Sequence, residues 1–518
     1  MKIFRSHILI GIDSISQMQK IRDIEKILKA EIKKNGLEEE IKVIESGTLG
    51  VFGFGVTMLV YPEGVYYANL DETKIKRIVE EHLLNGRIVE EYKIEPPEAK
   101  KDLTIKGKQE RIVLNNVGLI DPRNINDYIA RDGYKALEKA LFEMKPQEVI
   151  EEIKKSNLRG RGGAGFPTGL KLSFTAPIEG EKFIVCNADE GEPGTFKDRL
   201  IMEGDPHKLI EAMILSGYAV GARKGYIYIR GEYKLSIEIM QNAIKQAKQY
   251  GLLGDNILES DFSYDIEIKK GAGAYVCGEE TALIESVEGK RGNPRIKPPF
   301  PGVKGLWGKP TVVNNVETLS NIPSIIVNGA DWYKQFGMEK STGTKVYTIL
   351  GHVNYPGLVE VPMGTTLREI IFTYGGGIKG DKEFKVALVG GAAGAFLGKD
   401  MLDVPMDFDH LGEYKAVLGS GAVLVMDEDV DILDILENLM EFFNHESCGQ
   451  CSPCRIGNPT ILRLIRKIKT NDNLKGNEWE TIEEIAEAMK ETSLCALGQS
   501  PILPISSALK YFGKELGR

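Results

Sequence analysis

Four of the six cysteines in this 518-residue chain lie in one pattern toward its C-terminal end. Two residues separate Cys448 from Cys451 and Cys451 from Cys454, and Cys495 follows after a longer interval. Three thiolates on one tight loop with a remote fourth suit the corners of a cubane iron–sulfur cluster. Four thiolates also suit a tetrahedral zinc ion, although zinc sites more often show two separated Cys-x2-Cys pairs. The pattern therefore favours electron transfer, with a zinc site or a metal-free group of cysteines as alternatives.

The composition excludes several classes of protein. A net charge of -9 argues against nucleic acid as the main partner. No stretch approaches the ~18 apolar residues that a membrane-spanning helix needs. The first residues lack the apolar run and the small-residue cleavage site of a secretory signal, so a disulfide framework is not expected. We expect a cytoplasmic protein of roughly three to four domains, which leaves open a peripheral position on a membrane complex.

The spacing of apolar residues indicates an α/β chain of several units. It predicts helices over residues 18–34 and 74–84, with strands at residues 7–12, 41–45, 57–61 and 65–67. Toward the C-terminus, Pro453 and Gly457 are expected to keep the cysteine loop out of a helix, and a further helix is expected after Pro459. The predicted units are residues 1–95, a linker at 96–114, a glycine-rich α/β unit at 115–338, a β-rich unit at 339–425 and a helical unit with the cysteines at 426–518.

A glycine-rich stretch at residues 159–171 predicts an anion-binding loop. Five glycines occur from Gly160 to Gly169, with both ends counted. Such a loop lets successive backbone N–H groups converge on an anion, and Arg161 and Lys171 would add positive charge. The helix expected after Pro167 would direct its positive end toward a phosphate. A plain flexible loop is the alternative, because a glycine run alone is a weak indication of a ligand.

Polar residues follow a short apolar strand at residues 183–186. The strand runs into Asn187, Asp189, Glu190 and Glu192, and open α/β sheets place ligands at the C-terminal ends of their strands. An acidic surface turn is the alternative interpretation. Two further stretches, residues 271–283 and 297–318, carry glycines, carboxylates and amides that taken singly would be ordinary loops. Together with the cysteines, these stretches form one constellation.

Five motifs occur in order along the chain: Leu-Arg-Gly-Arg-Gly-Gly-Ala-Gly-Phe-Pro-Thr-Gly, Asn-Ala-Asp-Glu-Gly-Glu-Pro-Gly-Thr, Gly-Glu-Glu-Thr-Ala-Leu, Asn-Asn-Val-Glu-Thr and Glu-Ser-Cys-Gly-Gln-Cys-x-Pro-Cys-Arg-x-Gly. From about residue 115 to the C-terminus, the chain resembles the NADH-binding flavoprotein subunit of respiratory complex I and its relatives in NAD-linked hydrogenases and formate dehydrogenases. The resemblance implies an α/β multidomain fold. It would contain a Rossmann-like FMN- and NADH-binding domain, a small β-grasp domain and a C-terminal helical bundle that carries a [4Fe–4S] cluster.

The resemblance also implies where FMN would bind. A cradle for the flavin would be shaped by Gly160, Arg161, Gly162 and Gly163. Near its phosphate and ribityl chain would lie Lys171, Asn314, Asn315 and Thr318. Along the isoalloxazine would lie Asn187, Asp189, Glu190 and Gly278.

NADH would then enter above the flavin. Its adenine and nicotinamide ends would contact Phe166, Phe174 and Phe300, and its polar groups would contact Glu192, Glu280 and Lys297. Of these, Glu192 and Glu280 are the catalytic candidates, and Tyr275 and Glu279 belong to the same cofactor site. The family transfers a hydride from NADH to FMN and then single electrons through the cluster on Cys448, Cys451, Cys454 and Cys495.

The N-terminal unit departs from part of the family. Residues 1–95 resemble a thioredoxin-like domain that in some relatives holds a [2Fe–2S] cluster, but no cysteine precedes Cys186. Its loops at residues 11–16 and 47–52 offer no thiolates, because Thr48 and Phe52 cannot replace them. We therefore expect the fold without its cluster. Cys186 and Cys277 are interpreted as small buried residues.

The partners implied by the resemblance are proteins with iron–sulfur clusters. They are a small thioredoxin-like [2Fe–2S] subunit and a further iron–sulfur subunit of a hydrogenase, formate dehydrogenase or complex I-like assembly. A non-catalytic or zinc-stabilised scaffold subunit of the same kind of complex is the alternative.

Overall fold

The N-terminal part forms a mixed sheet with helices packed on it. The computed structural model describes residues 4–12, 18–49, 53–94, 109–470 and 477–518. The elements here are β1 Ser6–Gly11, α1 Met18–Lys34, β2 Ile41–Ser46, β3 Met58–Tyr61, β4 Val65–Tyr67, α2 Glu72–Ile78, a π-helical turn Val79–Leu84 and β5 Lys93–Ile94. The strand order is β2-β1-β3-β4-β5, with β1 parallel to β2 and antiparallel to β3. The predicted helix at residues 18–34 is confirmed, and the strands predicted at residues 57–61 and 65–67 form an antiparallel hairpin as β3 and β4.

This N-terminal unit packs closely against the next part of the chain. A Cβ atom on Gly47 would lie 2.6 Å from the Cα atom of Gly204, so the two backbones are in contact. Arg123 Nη1 lies 2.6 Å from Glu45 Oε2 across the same boundary. Residues 13–16 and 50–52 of the two loops expected to lack cluster ligands lie outside the described residues, as do residues 96–108 of the predicted linker.

The central part is built on a parallel sheet. Its strands are β6 Phe183–Ala188, β7 Lys224–Arg230, β8 Asp265–Gly271 and β9 Thr311–Asn315. The order β8-β7-β6-β9 is parallel throughout. The chain moves outward from β6 to β8 and then returns to add β9 on the other side of β6. The strand order therefore reverses between β6 and β9, where sheets of this kind open a ligand crevice.

Helices surround the parallel sheet, and its core is continuous with theirs. They are α3 Ile125–Ile129, α4 Lys135–Glu143, α5 Pro146–Lys155, α6 Thr168–Thr175, α7 Lys197–Gly204, α8 Pro206–Val220, α9 Lys234–Gln249, α10 Glu280–Val287, α11 Pro301–Lys304, α12 Val316–Asn328 and α13 Ala330–Tyr333. The helix predicted after Pro167 is α6, which begins at the next residue.

A second mixed sheet follows. It contains β10 Thr344–Gly351, β11 Gly357–Pro362, β12 Phe384–Val389, β13 Ala395–Leu397 and β14 Ala422–Asp427 in the order β11-β10-β14-β12-β13. The strands β10 and β14 are parallel, and the other neighbours run antiparallel. A π-helical turn Glu369–Tyr374 and helix α14 Phe408–Glu413 complete this part, where the sequence predicted a β-rich unit.

The C-terminal part is helical, as predicted. It comprises α15 Ile432–Glu446, α16 Ser452–Thr470, α17 Glu478–Thr492, α18 Ala496–Gln499 and α19 Ile502–Phe512. Leu436, Phe443, Ile461 and Ile482 are fully buried in a core that this part shares with one face of the parallel sheet. No helix among the described residues is long and apolar enough to cross a membrane.

The expectation that Pro453 and Gly457 keep the cysteine loop out of a helix is wrong. Helix α16 starts at Ser452 and includes Pro453, Gly457 and Pro459. Proline is tolerated in the first turn because the N–H that it lacks has no intrahelical partner there. Gly457 instead serves packing, since a Cβ atom there would overlap the sulfur of Met489. The second helix predicted after Pro459 is the continuation of α16.

Candidate functional site

The glycine-rich loop lies over the end of β9 and the start of α12. Its two ends meet, because Gly160 N donates to Phe166 O at 2.9 Å. In the middle of the loop, Arg161 N donates to Thr318 Oγ1 at 2.7 Å. A Cβ atom on Gly162 would lie 2.9 Å from Asn315 Cβ, so the backbone approaches the strand end more closely than any side chain would allow. The loop is therefore held against the crevice between β6 and β9.

Arg161 does not act as the sequence suggested. Its side chain is completely buried, and its guanidinium donates to Thr344 O at 3.0 Å and Thr342 O at 2.7 Å. It also donates to Arg159 O and to the hydroxyl of Tyr333. This differs from the expectation that Arg161 adds charge at an anion. The guanidinium supports the glycine-rich loop from the protein interior, and its bond to Thr344 O links the loop to β10 of the mixed sheet.

Two buried polar side chains at the strand ends have no partner within the described chain. They are Asn314, through Nδ2, and Asp189, through both carboxylate oxygens. Burial raises the pKa of Asp189 to about 7. Buried polar groups are normally hydrogen-bonded, so these atoms indicate a ligand at the crevice. Together with the close-fitting loop at Gly162, they suit the polar groups of the expected flavin.

Other predicted side chains at this crevice are committed to the protein. The Glu190 carboxylate accepts from Asp198 N at 2.9 Å and Arg199 N at 3.3 Å, at the start of α7. Burial raises the pKa of Glu190 to about 7. Asn315 Oδ1 accepts from Lys197 Nζ at 3.2 Å, and Asn315 Nδ2 donates to Asp198 Oδ2 at 2.6 Å. These side chains hold the crevice together.

Asn187 joins the crevice to the turn that precedes α10. Its Nδ2 donates to Gly278 O at 2.8 Å, and its Oδ1 accepts from Asp189 N at 3.1 Å. A Cβ atom on Gly278 would lie 3.5 Å from Asp189 O. The residues predicted to line the isoalloxazine therefore do lie next to one another.

Four predicted charged residues form one network beside the loop. Lys171 Nζ donates to Val313 O at 2.8 Å and lies 3.8 Å from Glu280 Oε2. Burial lowers the pKa of Lys171. Lys297 Nζ lies 2.9 Å from Glu279 Oε1 and 3.4 Å from Glu280 Oε1. The other oxygen of Glu279 caps α10 by accepting from Thr281 N and Ala282 N. The network thus presents two ammonium groups balanced by two carboxylates.

Three predicted aromatic side chains remain exposed. Phe166 is 45%, Phe174 60% and Phe300 58% exposed. Their elements adjoin, since a Cβ atom on Gly302 of α11 would lie 2.9 Å from Thr175 Oγ1 of α6. Aromatic rings left in solvent by an otherwise well-packed fold can stack on the rings of a ligand.

Glu192 lies between two parts of the fold. Its Oε2 accepts from Tyr275 OH at 2.7 Å, and its Oε1 accepts from Ala393 N at 3.3 Å. Burial raises the pKa of Glu192. Gly391 makes room for it, because a Cβ atom there would overlap the Glu192 side chain. The sequence analysis missed this contribution of the mixed sheet, although the run Gly390-Gly391-Ala392-Ala393-Gly394 could have indicated it.

The four cysteines lie in the same apolar core of the helical part. Cys448 and Cys451 precede α16, Cys454 is on it, and Cys495 is the N-cap of α18. Two groups bond the sulfur of Cys454: the hydroxyl of Ser447 at 3.2 Å and Asn458 Nδ2 at 3.3 Å. The other three cysteines are half-buried, and none is in a disulfide.

The spacing of potential ligands bears on the zinc alternative. Among the residues with described placement, no three His, Cys, Asp or Glu side chains lie close enough to share a single metal ion. A single zinc ion needs such closeness of its ligands, whereas a cluster with one iron for each thiolate does not. The two remaining cysteines, Cys186 and Cys277, are buried as predicted.

Comparison with known families covers most of the chain beyond the N-terminal unit. Residues 153–324 match the Nuo51 FMN-binding domain, residues 346–397 an SLBB domain, and residues 434–518 the NADH-ubiquinone oxidoreductase-F iron–sulfur binding region. The matched regions contain the crevice, most of the mixed sheet and the four cysteines, while β14 lies outside them.

Individual relatives agree with these matches. The chain is 49% identical to the NADP-reducing hydrogenase subunit HndC of Solidesulfovibrio fructosivorans over 413 residues, which is 80% of this chain and 84% of the relative. It is 50% identical to the F subunit of the NADH-quinone oxidoreductase of Aquifex aeolicus (strain VF5) over 392 residues, 76% of this chain and 90% of the relative. A chain in the crystal structure of an NAD+-reducing [NiFe]-hydrogenase in the H2-reduced state superposes with a TM-score of 0.70 at 30% identity, over 99% of this chain and 84% of that one. This chain belongs to the family of NADH-dependent oxidoreductase flavoproteins that bind NADH, FMN and a [4Fe–4S] cluster within multisubunit complexes.

Proposed function

We propose that the chain exchanges a hydride with NAD(H) at an FMN held in the crevice between β6 and β9. Electrons then leave singly through a [4Fe–4S] cluster on Cys448, Cys451, Cys454 and Cys495. The observation that carries the proposal is the pair of unpartnered buried side chains, Asn314 and Asp189, in a crevice that the cysteine-bearing helices adjoin.

The flavin would be held mainly by backbone and by few side chains. The loop would offer the N–H groups of Gly162 and Gly163 to the phosphate, while Gly160 closes the loop through its bond to Phe166 O. Lys171 would supply an ammonium group, and Asn314 would donate to an oxygen of the flavin. Asn315, Thr318, Glu190 and Arg161 act indirectly, since their side chains fix the loop and the strand ends. FMN supplies the conversion between two-electron and one-electron transfer, which neither NADH nor an iron–sulfur cluster performs alone.

The protein's part in the reaction is to orient the dinucleotide. Phe166, Phe174 and Phe300 stack on its rings, and the network of Lys297 with Glu279 and Glu280 bonds its polar groups. Glu192 adds a negative carboxylate that disfavours an additional phosphate on the nucleotide. Hydride transfer needs the donor carbon at near-attack distance, about 3–3.5 Å, from the atom that accepts the hydride. The main contribution of the chain to the reaction is therefore to hold the nucleotide rigidly in position.

The partners would be iron–sulfur subunits of a hydrogenase, formate dehydrogenase or complex I-like assembly. Three cysteines of the set are half-buried, so the cluster would lie near the surface where a second cluster can approach. We also propose the domain limits stated above, with the cysteine-free N-terminal unit as a structural element of the assembly. Its contacts through Gly47 and Glu45 support a fixed position on the flavin domain.

The test is reconstitution with FMN, iron and sulfide followed by anaerobic addition of NADH. Bleaching of the flavin absorbance and an EPR signal from a reduced [4Fe–4S] cluster are expected. Protein that takes up FMN but is not bleached by NADH would contradict the proposal, and so would zinc in place of iron. Co-purification from the native host then identifies the partner subunits.

A further inference from the structure

Tyr275 occupies a junction between the flavin domain, the mixed sheet and the helices that carry the cysteines. It lies in a 3-10 turn, Tyr275–Gly278, directly before α10. Its hydroxyl donates to Glu192 Oε2 at 2.7 Å, and its backbone N–H donates to Glu446 Oε2 at 2.9 Å. One residue thus bonds a carboxylate expected at the nucleotide and a carboxylate at the end of α15.

The second of these carboxylates sits next to the cysteine loop. Glu446 is the last residue of α15, and Ser447, which follows in extended conformation, leads to Cys448. The ring of Tyr275 also packs edge-on against Phe442 of the same helix, with centroids 5.0 Å apart. The end of α15 is therefore attached to Tyr275 by a hydrogen bond and by an aromatic contact.

The first carboxylate is equally constrained. Glu192 accepts from Tyr275 on one oxygen and from Ala393 N on the other, and its side chain fills the space that a Cβ atom on Gly391 would take. Gly191, next to it in the chain, lies against Tyr275, because a Cβ atom there would lie 3.1 Å from Tyr275 Cα. A displacement of Glu192 must therefore move Tyr275 or break their hydrogen bond.

We propose that Tyr275 is a positioning residue that couples nucleotide binding at Glu192 to the loop that holds the iron–sulfur cluster, through Glu446. A dinucleotide that bonds Glu192 changes the position or strength of the Tyr275 hydroxyl contact, and the backbone of Tyr275 passes this change to Glu446 and Cys448. Because coupling between two sites acts in both directions, a substitution at Glu446 is expected to alter nucleotide affinity. This coupling rests on the proposed function, because it requires that Glu192 contacts the nucleotide.

A double-mutant cycle on NAD+ affinity tests the coupling without turnover. The Kd of NAD+ is measured by calorimetry on the oxidised holoprotein for wild type, Glu446→Ala, Tyr275→Phe and the double variant. Glu446→Ala is expected to weaken binding by about 5-fold, the lower end for couplings between sites. In the Tyr275→Phe background, the same change is expected to have no further effect, because the hydroxyl link to Glu192 is already broken.

Two further variants separate coupling from general damage. Glu446→Gln keeps an oxygen that accepts from Tyr275 N and is expected to bind NAD+ like wild type. Glu441→Ala, on the same helix, removes a carboxylate that pairs with Arg466 on the surface and is also expected to bind NAD+ like wild type. An equal loss of affinity from Glu446→Ala in both backgrounds, or no loss in the wild-type background, overturns the proposal.

A second measurement tests the coupling if a variant fails to hold its cluster. Hydrogen–deuterium exchange of residues 446–450 is compared with and without NAD+ in wild type and in Tyr275→Phe. Added protection in wild type alone supports the coupling, and equal changes in both proteins refute it. Flavin bleaching by NADH is recorded in parallel: a wild type that does not bleach refutes the proposed function, whereas a bleaching wild type without the exchange difference refutes only the coupling.

Discussion

The crevice at the parallel sheet and the loop of cysteines differ in which side chains are left to contact a ligand. At the crevice, most of the polar side chains that the sequence singled out bond the protein itself, as Arg161, Glu190 and Asn315 do. At the cysteine loop, the singled-out side chains would themselves be the ligands, and two neighbouring groups, Ser447 and Asn458, bond the sulfur of Cys454. The flavin would thus be held by a stiff scaffold of protein contacts, and the cluster directly by the cysteine thiolates.

This difference predicts different consequences of substitution. A change at the crevice should weaken flavin binding by degrees, because many scaffold contacts share the task. A change of a cysteine should remove the cluster outright, because each thiolate holds one iron.

The largest effect is expected from Cys451→Ser. The variant should lose cluster iron and fail to pass electrons to a partner, yet NADH should still bleach its flavin, because the crevice does not use Cys451. Iron analysis, EPR and stopped-flow absorbance measure these three properties. Cys277→Ala, a buried cysteine outside the set, is the control and should keep its iron. Full electron delivery by Cys451→Ser would show that the electrons leave by another route.

Gly162→Ala tests the scaffold at its tightest point. The added Cβ atom would lie 2.9 Å from Asn315 Cβ, and overpacking of this kind costs about 1–3 kcal/mol. FMN affinity should therefore fall by roughly 5- to 150-fold in fluorescence titrations. Gly412→Ala is the matched control, since no atom lies within 4 Å of a Cβ there. Unchanged FMN affinity in Gly162→Ala would mean that the loop does not need its close approach to Asn315.

Asn314→Ala tests whether the Asn314 side chain contacts the flavin or stabilises the protein itself. Its Nδ2 is buried without a partner in the described chain, so removing it should not lower the free energy of unfolding of flavin-free protein. FMN affinity should fall by about tenfold, the equivalent of one hydrogen bond of roughly 1.4 kcal/mol.

The control for Asn314 is Asn321→Ala. Asn321 bonds Glu317 O and the Tyr333 hydroxyl inside the protein, so its loss should destabilise the chain with or without FMN in urea unfolding. If Asn314→Ala destabilised the flavin-free protein as much, its amide would belong to the scaffold.

The smallest effect is expected from Asn458→Leu. Removing a hydrogen bond to the Cys454 sulfur disfavours the more negative reduced cluster, so the midpoint potential should fall by about 40 mV, the equivalent of about 1 kcal/mol for one electron. An EPR-monitored redox titration measures the shift. Asn438→Ala, an exposed asparagine on α15 that bonds Asp434 O, should leave the potential unchanged. A rise in potential for Asn458→Leu would contradict this role.

Much of the fold was predictable because its patterns are local. The helix at residues 18–34, the strand at residues 183–186 and the helices after residue 431 follow from apolar spacing within one element. The error at Pro453 and Gly457 also has a local origin, since both residue types disfavour helix interiors. Pro453 lies at the start of α16, and Gly457 packs under Met489. These positions depend on the tertiary structure, which no local pattern contains.

The sequence by itself determined the ligand chemistry: the four cysteines, the glycine-rich loop and the polar residues after β6 are recognisable from residue type and spacing. Only the tertiary structure decided which of two adjacent amides, Asn314 or Asn315, is free for a ligand, and that Glu192 shares a hydrogen bond with Tyr275. The physical reason is that a side chain's free hydrogen-bonding capacity depends on every neighbour, and these neighbours come from distant parts of the chain.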